Sequence, residues 1–89
     1  MSDRLAAFDR AIAKVTDERG AVYGHPKIDF GRVVRLKAVV AECQNPLARH
    51  VLEMLCVKIA RLIETPDHLD SWLDCAGYAR TGVMVTDRD

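Results

Sequence analysis

The chain has 89 residues, 49% of them hydrophobic, and its 13 Lys and Arg residues balance 13 Asp and Glu residues to a formal net charge of zero. That length allows one small domain, read as a single helical domain over residues 1–89, and the balanced charge argues against a duplex nucleic-acid binder, which carries a basic excess. A chain this short buries only about 60–65% of its unfolded surface, so its apolar content favours a helical homo-oligomer.

Residues 3–17 read as a first helix, because Leu5, Phe8, Ile12 and Val15 recur at three- and four-residue steps. Ser2 or Asp3 is its expected cap. The segment Glu18-Arg-Gly-Ala-Val-Tyr-Gly-His-Pro26 holds two glycines and a proline and reads as an ordered loop. A second helix is predicted from Ile28 or Asp29 to Glu42, with Phe30, Val33 or Val34, Leu36, Val39 and Val40 as its apolar stripe. Asn45-Pro46 supplies an N-cap and a proline at the first helical position. The third helix runs from there to about Glu64, with Val51, Leu52, Leu55, Ile59, Leu62 and Ile63 on its apolar face. Thr65-Pro66-Asp67 ends it and opens a fourth helix, with Asp67 and Asp70 in a capping arrangement. Leu69, Trp72, Leu73, Ala76, Ala79 and Val83 are its expected buried side, and it ends near Val83 or Val85. The fold class is therefore all-α, a bundle of three or four helices.

The run Asp70-Ser-Trp-Leu-Asp74-Cys-Ala-Gly-Tyr78 is the most informative stretch. On a helix, Asp70, Asp74 and Tyr78 share one face, and like charges at that spacing repel. Asp70 gains from the helix dipole, whereas Asp74 lies too deep to do so. The row therefore calls for a cation, either a metal or basic side chains from a neighbouring helix. Lys58 and Arg61, three apart on the third helix, are the basic candidates; their stems can equally snorkel along the core edge. Arg suits bidentate phosphate recognition and Lys acts as a point charge.

Tyr23-Gly24-His25-Pro26 is the third element. The glycine permits a tight turn, Tyr23 can stack on a base or plug the core, and the amides opening the second helix can receive an anion. His25, His50 and His68 are too scattered to form a metal site by spacing. Cys43, Cys56 and Cys75 form no CxxC or CxxH pair, which argues against structural zinc and suits a reducing cytosol. Cys75 reads as a small core residue. The start Met-Ser-Asp-Arg-Leu lacks a signal peptide's apolar core, and no apolar run reaches the length of a membrane span. A cytoplasmic protein with no membrane partner is expected.

Together, Tyr23-Gly24, Phe30, Lys58-x-x-Arg61-Leu62 and Asp70-Ser71-x-x-Asp74-x-x-Gly77-Tyr78-Ala79 resemble a small uncharacterised domain of tailed phages and prophages. The domain is also similar to the nucleotide-modification-associated domains and, more distantly, to the MazG-like all-α nucleoside triphosphate pyrophosphohydrolases. The resemblance covers roughly residues 18 to 84. It implies a helical, MazG-like, oligomeric fold that handles nucleotides in the cytoplasm of a bacterial host. MazG-like enzymes hold magnesium on an E-x-x-E pair and a second acidic pair. Asp70 and Asp74 match only the second, with a spacing one residue longer; where the first should stand, the chain carries Lys58 and Arg61.

Three functions are weighed. The first is binding of a phosphorylated nucleotide without hydrolysis and without a cofactor. Tyr23, Gly24, His25, Lys58, Arg61, Asp70, Asp74 and Tyr78 would form its site. In the phage setting that the resemblance implies, such a protein would sequester a host nucleotide signal, cyclic nucleotides included, as an anti-defence device. The second is a magnesium-dependent pyrophosphohydrolase with Asp70 and Asp74 as metal ligands. The third is a non-catalytic interaction module in which the aspartates pair with Lys58 and Arg61.

Overall fold

The computed structural model describes residues 2–88, which form four α-helices: α1 (Ser2–Tyr23), α2 (Pro26–Val40), α3 (Pro46–Glu64) and α4 (Leu69–Thr86). Among the described residues there is no strand. Helix α3 is central: it packs against α4 and α2 along its length and against the end of α1.

The boundary between α2 and α3 follows from local chemistry. The Asn45 side-chain oxygen accepts from the backbone amides of Leu47 at 3.1 Å and Ala48 at 3.0 Å. Pro46, with no amide to leave unpaired, takes the first helical position. Arg49 closes the connection by donating from Nε to the carbonyl of Cys43 at 2.7 Å.

Two boundaries differ from the sequence expectation. The loop expected over residues 18–26 is mostly helix, because α1 continues to Tyr23. Gly20 sits inside it, where a glycine costs only about 1 kcal/mol relative to alanine. The break falls at Gly24, whose φ of 77° lies in the left-handed region, and α2 starts at once at Pro26. Asp67 does not cap α4. A turn closed by His68 N–H to the Thr65 carbonyl at 3.1 Å consumes that residue, and His68 takes the cap position.

The larger correction concerns which faces turn inward. Helix α4 meets α3 through Ser71, Cys75, Tyr78, Gly82 and Val85, at alternating four- and three-residue steps, with Ser71 fully buried. The bulkier stripe of Leu69, Trp72, Leu73, Ala76, Ala79 and Val83 faces outward. The inward face thus mixes the small Ser71, Cys75 and Gly82 with Tyr78 and Val85. Helix α2 likewise meets α3 through Asp29, Val33, Leu36 and Val40, leaving Phe30, Val34 and Val39 exposed. The core proper is Val51, Cys56, Ala60 and Leu62, all on α3. Burial raises the pKa of the Cys56 thiol, against a smaller opposing pull from Lys37, so Cys56 serves as a small packing group.

Gly24 is the position least able to change. A Cβ there would run into the Glu64 carboxylate, which pairs with Arg32 at 3.1 Å. Gly24→Ala is expected to destabilise the fold by about 1–2 kcal/mol through the left-handed φ alone, measured as a lower midpoint in urea denaturation.

Candidate functional site

The end of α1, the start of α2 and the C-terminal turns of α3 meet around Tyr23. Arg19, one turn before Tyr23 on α1, places its guanidinium 5.0 Å from the ring centroid. Arg61 of α3 stacks on the same ring at 4.1 Å. Both distances fall within cation–π range. His68 meets Tyr23 edge-on, with centroids 6.3 Å apart, and its Nδ1 lies 2.7 Å from the hydroxyl of buried Ser71. The Thr65 hydroxyl donates to the Val22 carbonyl and ties the end of α3 to the end of α1.

Beside Tyr23 a cleft of ≈ 570 Å³ opens between α1 and α2, lined by Thr16, Arg19, Gly20, Tyr23, Gly24, His25, Pro26, Asp29 and Phe30. That volume suits a small-molecule ligand. Two polar atoms near it lack a protein partner: Asp29 Oδ1 and Arg61 Nε, both buried. Asp29 is only 4% exposed. Buried polar atoms without partners carry a desolvation cost of about 1–3 kcal/mol each. Among the described residues, no carboxylate lies within ion-pair distance of either Arg19 or Arg61. Among the described residues the region therefore holds two guanidiniums and one carboxylate that stand outside any direct ion pair.

The backbone at the start of α2 offers no anion site. Pro26 has no amide proton, Lys27 N–H donates to His25 Nδ1 at 3.1 Å, and Ile28 and Asp29 both donate to the His25 carbonyl. His25 is thus a helix cap at the rim of the cleft. Any anion here must be held by side chains.

The residues expected to form one site divide into two groups. Tyr23, Gly24 and His25 line the cleft, with Arg61 backing Tyr23. Lys58 instead donates to Asp74 at 2.8 Å, linking α3 to α4. Asp70 stands exposed in the first turn of α4 with no ion-pair partner among the described residues, and Tyr78 is half-buried on the face of α4 that meets α3. Sequence reading missed Arg19, Asp29, His68 and Ser71. Arg19 becomes visible once residues 18–23 are helical, since it then sits one turn before Tyr23. Asp29 had a signal of its own: it continues the Val33, Leu36, Val40 stripe and so places an acid on an apolar face.

Magnesium needs several converging oxygen ligands. Among the described residues no three His, Cys, Asp or Glu side chains converge, and Asp74 already holds Lys58. The side chains that one copy of the chain brings together do not fit a magnesium pair.

Fold and site define a small all-α protein with a tyrosine-centred cleft. The chain belongs to the family described as Domain of unknown function (DUF6378), whose model matches residues 6–86. No curated protein and no solved structure matches it significantly. None of the described helices is long and apolar enough to cross a membrane.

The Lys58–Asp74 pair has a measurable signature. The hydrogen bond from Lys58, aided by the charges of Lys58, Arg61 and His68, holds the Asp74 carboxyl below its ordinary value of 3.8. A depressed folded pKa gives stability that is present above the unfolded value and is lost as pH falls through the folded one. Carbon-detected NMR titration is expected to show Asp74 titrating below the ordinary aspartate value in the wild type. In Lys58→Met it should titrate higher.

Proposed function

We propose that the protein binds a phosphorylated nucleotide at the Tyr23 cleft and does not hydrolyse it. The observation that carries this reading is the convergence of Arg19 and Arg61 on Tyr23, with no carboxylate in ion-pair contact with either among the described residues. Stacking on Tyr23 restrains both guanidiniums before a ligand arrives, which lowers the ordering cost of binding. Planar forks of this kind match phosphate oxygens bidentately. Asp29 supplies the complementary group, an acceptor for a donor on the ligand such as a ring N–H, an exocyclic amine or a ribose hydroxyl. One ligand carrying both phosphate and such donors would complement Arg19 and Asp29, which line the cleft, and Arg61, which backs Tyr23.

In this reading Lys58 and Asp74 pin α3 to α4 and keep Arg61 in register; they do not touch the ligand. Pyrophosphohydrolysis has weaker support, because the converging carboxylates it needs are not brought together by one chain. Sequestration of a host nucleotide signal by a phage protein, in the cytoplasm and as a homo-oligomer, is the biological setting that the resemblance to the phage domain adds to the proposal.

Calorimetry against linear and cyclic nucleotides tests the reading, with the ligand recovered and analysed afterwards. Binding of an intact nucleotide is expected. Arg61→Met should weaken it by about 1.5–3 kcal/mol, the loss of a charged hydrogen bond. No heat with any nucleotide at high micromolar concentration would refute the proposal, and recovery of cleaved product would transfer the case to the hydrolase. Asp29→Asn should change the order of preference among bases more than the overall affinity, because it exchanges an acceptor for a mixed donor and acceptor.

A further inference from the structure

Helices α1 and α4 each carry an apolar stripe that their own chain leaves uncovered. On α1, Leu5, Phe8, Ile12 and Val15 are 44–60% exposed. From Asp3 to Val15 only Ala6 is shielded even in part. On α4, Leu69, Trp72, Leu73 and Val83 are 55–70% exposed. Among the described residues α1 packs on α2 and α3 but not on α4. A projecting helical segment of this length is marginal in water without tertiary packing.

The dimensions state the deficit quantitatively. The radius of gyration is 16.3 Å, against about 12 Å for a compact chain of this length. The accessible surface is 6918 Å², whereas a compact monomer of this size exposes about 5,200 Å². The surplus of about 1,700 Å² lies within the roughly 1,000–2,500 Å² that each partner buries in an obligate homodimer.

We infer that a second copy of this chain covers both stripes, with α1 of each copy packed on α4 of the other about a two-fold axis. A two-fold contact is reciprocal, so one interface buries α1 and α4 of both copies at once. Packing α1 on its own symmetry mate would leave Trp72 and Leu73 in water. The α1 stripe, about 15 Å of helix from Leu5 to Val15, fits within the α4 stripe, about 21 Å from Leu69 to Val83. The formal net charge of zero leaves no net repulsion between copies. This inference rests on packing and area alone and does not depend on the proposed ligand.

Two measurements on the full chain test it. Sedimentation velocity should show a dimer at micromolar concentration, and Phe8→Glu or Leu73→Glu should each raise its dissociation constant about thirtyfold or more, as for a buried interface anchor. Each substitution can also unfold the protein, so the second measurement leaves the apolar surface in place. Benzoylphenylalanine replaces Phe8, nitrogen-15-labelled and unlabelled chains are mixed, and the sample is photolysed. Mixed-isotope cross-links from residue 8 to peptides covering residues 69–83 are expected. A monomer at all concentrations would overturn the inference, as would cross-links confined to one chain. Cross-links from residue 8 to the partner's own α1 would overturn it equally.

Discussion

The burial of α3 against its neighbours is the constraint on which the remaining structure depends. All four hydrophobic residues of the buried core lie on it, and α2, α4 and the end of α1 are placed by their contact with it. Since α3 must serve three neighbours around its circumference, each neighbour meets it with a narrow face. On α4 that face is Ser71, Cys75, Tyr78, Gly82 and Val85, and on α2 it is Asp29, Val33, Leu36 and Val40. With those faces turned inward, larger apolar residues such as Trp72, Leu73 and Phe30 point outward.

The cleft is a consequence of the same arrangement. The last turns of α3 bring Arg61 to the end of α1, and the turn at Gly24 folds α2 back so that Asp29 enters the space beside Tyr23. The arginines and Asp29 are carried by elements that have structural reasons to be there. Its unpaired groups are a local cost that the packing elsewhere tolerates. Such a cost at an open cleft is a feature of binding sites, where the partner of the buried group arrives from outside.

Part of this was legible in the chain. Asn45-Pro46 announces the start of α3 because capping is a matter of three consecutive residues, and the bond from Asn45 to the following amides is the bond those residue types make. The need of the Asp70 and Asp74 row for a cation was also legible, and Lys58 meets it at Asp74. The end of α1 was not legible, since two glycines stand in that segment and only one of them, Gly24, adopts the left-handed backbone that breaks the helix. Neither was the meeting of Tyr23 with Arg61, residues 38 positions apart whose pairing depends on how α1 and α3 pack.

By itself, then, the sequence determined the helical class and the α2–α3 boundary, because periodicity and caps are properties of neighbouring residues. Tertiary structure alone decided which face of each helix turns inward and which cations stay unpaired. Rotating a helix about its axis leaves every local interaction unchanged; only the shape of the surface it meets on α3 selects one rotation. That selection gave Lys58 to Asp74, set Arg19 and Arg61 over Tyr23, and turned Trp72 and Leu73 outward.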